Sequence, residues 1–326
     1  MNRTVRVLTT AFALAALLGT AGCADNGGTA AGASSSDGQL TVGDQAKTLQ
    51  TLVKASGVLK GSKYGVKWAE FQGAAPLFQA VQAGAADTSY SADLPSLQAL
   101  SGGVRVKNVA ALKNDGSHVG IVVKKDSAVR SVADLKGKKV VVSSAKGSIS
   151  EYLLANALQQ AGLSYSDVTV QYLLPTDAQA AFASGKVDVW ATFGVYQAVA
   201  LQQGGRLLID GNDGRISGYG FIGASDKALA DKGKRAALTD FLGRLSKALA
   251  WGRSHPEEYA AAIRKDTGAS PAIAKTLATT AYGEVLPITP DVTKAVQKVA
   301  DTMHGIKVLD PNVEVADSVD ASLFTK

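Results

Sequence analysis

Between residues 40 and 210 the chain keeps switching between two hydrophobic periods, and this restricts its fold more than any other feature. Residues 40–42, 66–71, 86–90, 104–112 and 120–123 carry the short apolar or alternating pattern of strands. Residues 49–59, 75–83 and 94–100 lie between them with helical spacing, as in Leu49, Leu52, Val53 and Leu59. The theme then repeats, with strands at 139–143, 168–173 and 187–191 and helices at 149–161, 176–183 and 197–203. Such alternation predicts an α/β fold. Residues 79–87 and 180–188 echo each other: a helix, then Gly84 or Gly185, then two residues, then Asp87 or Asp188 entering a strand. Glycine there can adopt the left-handed conformation that ends a helix. The spacing is common in α/β proteins, so the echo supports two related lobes only together with the alternation. From residue 226 the pattern is mostly helical, at 238–253, 256–265, 271–281 and 290–304. Proline opens the last three, where its missing N–H is not needed.

The N-terminus follows different rules. Arg3 and Arg6 precede an apolar run over residues 7–18, then Gly19, Thr20, Ala21 and Gly22, then Cys23. This is the layout of an export signal over residues 1–22, too short for a membrane span of ~20 residues. The small residues before Cys23 resemble a bacterial lipobox, with Thr20 where Leu is usual, and Cys23 is the expected lipidation site. A lipid anchor would hold the chain at the outer face of the cytoplasmic membrane or in the periplasm. Residues 23–38, rich in Gly, Ala and Ser, read as the anchor and a flexible tether, with folded structure from about Gln39.

Composition excludes several classes. The 326 residues suffice for two units of ~150. The single Cys permits neither an internal disulfide nor a cysteine-based zinc cluster. The net charge of +6 falls to +4 once residues 1–22, with two Arg and no acid, are removed. So small a surplus gives no reason to expect nucleic-acid binding. His118, His255 and His304 lack metal-ligand spacing, and no G-x-S-x-G elbow occurs, so no metal, cofactor or catalytic group is expected.

Three strand-to-helix turns are candidates for ligand contact. Residues 140–150 run from an apolar strand through Gly147 into a serine-rich helix start with Ser148 and Ser150. Free N–H groups and the positive end of a helix favour an anion, although Ser148 could equally be a simple N-cap. Residues 43–48 and 89–95 have the same design, with Asp93 the expected N-cap of the second. Ligands of open α/β sheets bind beyond the carboxyl ends of strands. Trp190, Phe193 and Tyr196 follow Asp188; Trp190 reads as core, while Phe193 and Tyr196 could line a pocket.

The chain resembles substrate-binding lipoproteins of ABC importers in the nitrate/sulfonate/taurine family, and within it the aliphatic sulfonate-binding group. The matching segments are residues 40–45, Trp68-Ala69-Glu70-Phe71, residues 131–140, Lys146-Gly147-Ser148, residues 161–168 and residues 177–190. The resemblance implies a two-lobed, type II periplasmic-binding-protein-like fold with a hinge and an interlobe ligand cleft. Lobe 1 would span 39–122 plus 219–326 and lobe 2 residues 123–218, with hinge strands near 121–123 and 218–224. It also implies a monomer that delivers a small, anionic ligand to permease and ATPase subunits. Carried over by position, the ligand-binding residues would be Gln45, Thr48, Ser91, Asp93, Gly147, Ser148, Ser150, Phe193 and Tyr196, with the Lys-Gly-Ser turn at the anionic head. The chain departs from the family pattern at Asp44, Ala92, Ile149, Glu151 and Gly194-Val195. Glu151 and Asp44 bring negative charge toward the site, so a larger, zwitterionic or cationic ligand stays open.

Within the same class the ligand could be a thiamine-precursor pyrimidine, nitrate or another small solute. A ligand-sensing accessory lipoprotein is a further alternative. An enzyme on this fold, such as a pyrimidine synthase with a cysteine-rich motif, is disfavoured by the lone Cys23 and the export signal.

Overall fold

The computed structural model describes residues 38–280 and 283–325, so the export signal, Cys23 and nearly all of the tether lie outside the described residues. Strands and helices alternate from the start: β1 (Leu40–Gln45), α1 (Thr48–Ser56), β2 (Val66–Phe71), α2 (Ala74–Gln82), β3 (Thr88–Ala92), α3 (Asp93–Ser101), β4 (Val106–Lys113) and β5 (Val119–Val123). There follow β6 (Lys139–Ser143), α4 (Ile149–Gln160), β7 (Thr169–Leu173), α5 (Pro175–Ala183), β8 (Val189–Phe193), α6 (Gly194–Gln202), β9 (Arg206–Asp210) and β10 (Tyr219–Ser225). The remainder is α7 (Asp226–Ala230), α8 (Lys232–Ser254), α9 (Pro256–Thr267), α10 (Pro271–Thr279), β11 (Glu284–Leu286) and α11 (Pro290–Gly305).

The strands form two mixed sheets, ordered β11-β4-β10-β3-β1-β2 and β7-β6-β8-β5-β9. The central strands are buried on both faces, which explains their nearly continuous apolar runs, as in Val140–Val141–Val142. The C-terminal helices pack mainly on the first sheet: Leu238, Phe241, Leu242 and Leu245 of α8 join the core around Leu40, Val42 and Leu112. Trp190 is fully buried, and its indole N–H donates to Ser143 Oγ at 2.8 Å, as expected of a core residue.

The chain passes between the sheets twice, from β4 to β5 and from β9 to β10. The two passages are bonded together: Gly211 N–H donates to Val119 O and Asn114 N–H to Gly218 O, each at 2.9 Å. A Cβ on Gly116 would stand 2.4 Å from the Gly211 carbonyl oxygen, so glycine permits this approach. The first passage precedes β5, several residues before the hinge expected at 121–123. Those residues are the last three of β5, paired with β8 and β9.

Candidate functional site

A cavity of about 580 Å³ opens at the carboxyl ends of β1, β2, β3, β6 and β8. Its wall includes Gln45 and Thr48 from the β1–α1 turn, Ser91 from β3, Gly147 and Ser148 from the β6–α4 turn, and Phe193 and Tyr196 after β8. Seven of the nine sequence-derived residues therefore share one cavity. Asp93 and Ser150 do not line it.

Those two are fully buried behind the wall. Asp93 sits in the first turn of α3, not at its N-cap, which is Ala92. Its carboxylate accepts Leu94 N–H at 2.6 Å and the Ser217 hydroxyl, tying α3 to the second passage between the sheets. Burial pushes its pKa up to about 6 against the lowering effect of these bonds and of Lys113. Ser150 Oγ donates to Ser143 O at 2.6 Å. Since that uses the Ser150 proton, the 3.0 Å contact between Ser148 and Ser150 must be donated by Ser148. Ser148 also caps α4 by accepting Glu151 N–H at 3.3 Å. Cap and cavity residue are thus the same side chain.

Asp44 and Glu151, expected to bring charge toward the ligand, are both fully buried, and neither lines the cavity. Asp44 accepts the N–H groups of Gln45, Leu49 and Gln50 at 2.7, 3.1 and 2.8 Å. Its carboxylate thereby fills the N-terminus of α1 and secures a turn in which Ala46 and Lys47 both have left-handed φ. Burial pushes its pKa up to about 6, opposed by those bonds. Glu151 accepts Gly147 N–H at 2.6 Å, and its other oxygen accepts the hydroxyls of Tyr165 and Tyr172. Gly147 has φ 81°, and a Cβ there would stand 2.6 Å from Gln98, so glycine fits both the turn and the close approach.

Other wall residues come from distant sequence. Lys146 Nζ donates to Lys307 O and Lys47 Nζ to Asp266 O, each at 3.0 Å, and neither cation is paired with a carboxylate among the described residues. Phe193 and Tyr196 meet edge to face, with centroids 6.2 Å apart. Tyr259, Ile263 and Asp266 of α9 and Leu277 of α10 complete the wall. None of these residues is among the candidates that the sequence offers. Gln45 Nε2 donates to Tyr90 O at 2.7 Å and Thr48 Oγ1 to Gln45 O at 2.8 Å, fixing the two side chains. His118 also lines the cavity, and burial pushes its pKa down to about 4, so it is uncharged at neutral pH. The wall thus combines hydroxyl and N–H donors with a large apolar surface, an arrangement suited to an anionic head and an apolar tail.

The family model for NMT1/THI5-like proteins matches residues 65–259. The chain belongs to that family. It is 32% identical over 295 residues to an Escherichia coli K12 protein named for aliphatic sulfonate binding, covering 89% of this chain and 91% of the relative. The alkanesulfonate-binding protein SsuA from Xanthomonas axonopodis pv. citri, solved bound to MOPS, superposes with a TM-score of 0.80 at 30% identity. That match covers 86% of this chain and 98% of the other. The periplasmic aliphatic sulphonate-binding protein SsuA of E. coli gives a TM-score of 0.75 at 31% identity, covering 86% and 92%. The two-sheet architecture is therefore that of periplasmic binding proteins, as the resemblance implied.

Proposed function

We propose that the protein is the extracytoplasmic solute-binding component of an ABC importer. It captures an aliphatic sulfonate or related small organic anion in the cavity and delivers it to permease and ATPase subunits. The observation that carries this reading is the Lys146–Gly147–Ser148 turn, which opens the N-terminus of α4 onto a largely apolar cavity. A sulfonate has three acceptor oxygens and a delocalised charge. The Ser148 hydroxyl can turn from Ser150 toward it, and the helix end supplies favourable potential. Each charge-assisted hydrogen bond contributes roughly 1.5–3 kcal/mol. The alkyl portion would lie against Phe78, Phe193 and Tyr196.

In this reading the parts of the chain around the two sheets act as two lobes that close on the ligand, with the first boundary in the β4–β5 connection, ahead of the 122/123 division expected from the sequence. Bonds already run between them: Thr176 Oγ1 donates to Gln72 Oε1 at 2.9 Å, and Gln202 Nε2 to Ser270 Oγ at 2.7 Å. A ligand touching Ser91 on one side and Ser148 on the other favours the closed arrangement by its differential affinity alone. Export by residues 1–22, lipidation of Cys23 and a monomeric state belong to the same proposal, as does a binding rather than catalytic role. Thermal shift of the purified protein against alkanesulfonates, nitrate, amino acids and thiamine precursors tests it. Stabilisation is expected with sulfonates, and stabilisation by a thiamine-precursor pyrimidine alone would replace the ligand assignment.

A further inference from the structure

Several polar groups that the sequence points to in the cavity wall already donate to the chain itself. The Ser148 hydroxyl donates to Ser150, the Gly147 N–H to Glu151 and the Ser91 hydroxyl to Ala92 O. A hydroxyl beside them is not committed. Ser144, which follows β6 and precedes the Lys146–Gly147–Ser148 turn, lines the same cavity. It is only 8% exposed, and its side chain has no hydrogen-bond partner among the described residues. A buried hydroxyl without a partner is costly, so a cavity-facing one points to a partner that enters the cavity.

Ser144 lies against the start of another helix. A Cβ on Gly73, the N-cap residue of α2, would stand 2.7 Å from Ser144 Oγ. No side chain caps this nine-residue helix, and its first turn holds no acid. Pro76 has no N–H, which leaves those of Ala74 and Ala75, and neither has an acceptor among the described residues. Both alanines line the cavity, and Ala75 is exposed. Helix α1 shows the contrast, since the Asp44 carboxylate takes its first N–H groups. Ser144 thus joins two helix starts: it touches the N-cap of α2 and stands four residues before the N-cap of α4. Two positive helix ends on one cavity wall are mutually unfavourable until an anion lies between them.

We propose that the N-terminus of α2, together with Ser144, is a second anion contact of the cavity. The Ser144 hydroxyl and the N–H groups of Ala74 and Ala75 take sulfonate oxygens that the α4 start leaves free. The inference rests on the sulfonate reading above and adds the groups by which the part of the chain around the first sheet holds the head. Because α4 belongs to the part around the second sheet, an anion held by both helix starts joins the two parts.

Isothermal titration of the purified protein with butane-1-sulfonate compares the wild type with Ser144→Ala, Ala75→Asp and Gln82→Glu. Ser144→Ala removes no side-chain hydrogen bond of the fold and is expected to weaken binding about tenfold. Ala75→Asp sets a carboxylate in the first turn of α2, where it favours the helix but competes with the ligand. Binding is expected to fall at least about a hundredfold, with the thermal midpoint unchanged or raised. Gln82→Glu puts the same charge on the same helix and cavity wall, about 10 Å along the axis, and should change affinity by about threefold or less. Unchanged affinity in Ser144→Ala, or equal losses in the two acidic variants, would overturn the second anion contact and leave the sulfonate reading standing. A wild type that binds no sulfonate would overturn both. Should Ala75→Asp not fold, Ser144→Ala decides the matter alone.

Discussion

The Gly147 N–H donates to the Glu151 carboxylate at 2.6 Å, so the turn facing the cavity is held from behind by a buried acid. With the Tyr165 and Tyr172 hydroxyls on its other oxygen, that acid has three donors. Glu151→Gln replaces one acceptor oxygen with a donor and leaves a buried group mismatched. A loss of ~1–3 kcal/mol in stability, with weaker sulfonate binding, is expected. Tyr172→Phe, at a partly exposed position, should cost about 1 kcal/mol or less. Denaturant unfolding and titration read the two effects separately; wild-type affinity in a destabilised Glu151→Gln protein would limit Glu151 to a role in folding.

Ser148 and Ser150 should separate by function. Ser148→Ala removes the α4 cap, costing ~1 kcal/mol of stability. It also removes a donor to the ligand, weakening binding by about 1–3 kcal/mol. Ser150→Ala removes the acceptor that holds the Ser148 proton and the buried donor to Ser143 O, which costs stability, but it takes no group from the cavity wall, and binding should change by less than about 1 kcal/mol. Matching affinity losses in calorimetry would contradict this division.

Asp44 gives stability a definite pH signature. Burial raises its folded pKa from the ordinary 3.8 to about 6. The folded state therefore binds its proton more readily than the unfolded chain does. Stability is penalised on the order of 3 kcal/mol above pH 6, and the penalty is relieved as pH falls toward 3.8. Asp93 acts in the same direction. His118, with its pKa lowered to about 4, acts oppositely as pH falls from 6.5. Comparing wild type with Asp44→Asn at each pH cancels both neighbours. The difference should move in favour of the Asn variant between pH 4 and 6 and then level off. A difference independent of pH would mean that Asp44 titrates normally.

Cys23 makes a prediction outside the described residues. In a bacterial host that processes lipoproteins, the full-length chain should incorporate labelled palmitate and fractionate with membranes. Cys23→Ser should do neither. Label retained in the variant would place the lipid elsewhere.

Much of the fold was legible because burial imposes period. Residues 66–71 were read as a strand and are β2, and residues 290–304 fall within α11. Strands β9 and β11 were missed for physical reasons. Arg206–Asp210 is half-buried throughout and shows no alternation, and Glu284–Leu286 is three residues long. Within the site, the turns were visible because they follow strands. The inward rotation of Asp93 and Ser150 was not, since adjacent polar residues differ only in where the backbone points them. Tyr259 and Asp266 reach the cavity through the packing of α9, a contact across about two hundred residues that no local pattern carries.

The central claim is that the Ser148 end of the cavity binds a sulfonate. Titration of the purified protein with butane-1-sulfonate and 3-aminopropanesulfonate, repeated with Ser148→Ala, tests it most directly. A sulfonate should bind at one site, stabilise the protein by ~2.7 kcal/mol at a hundred times its dissociation constant, and lose affinity in the variant. No binding of any sulfonate, alongside clear binding of a cation, would contradict the account.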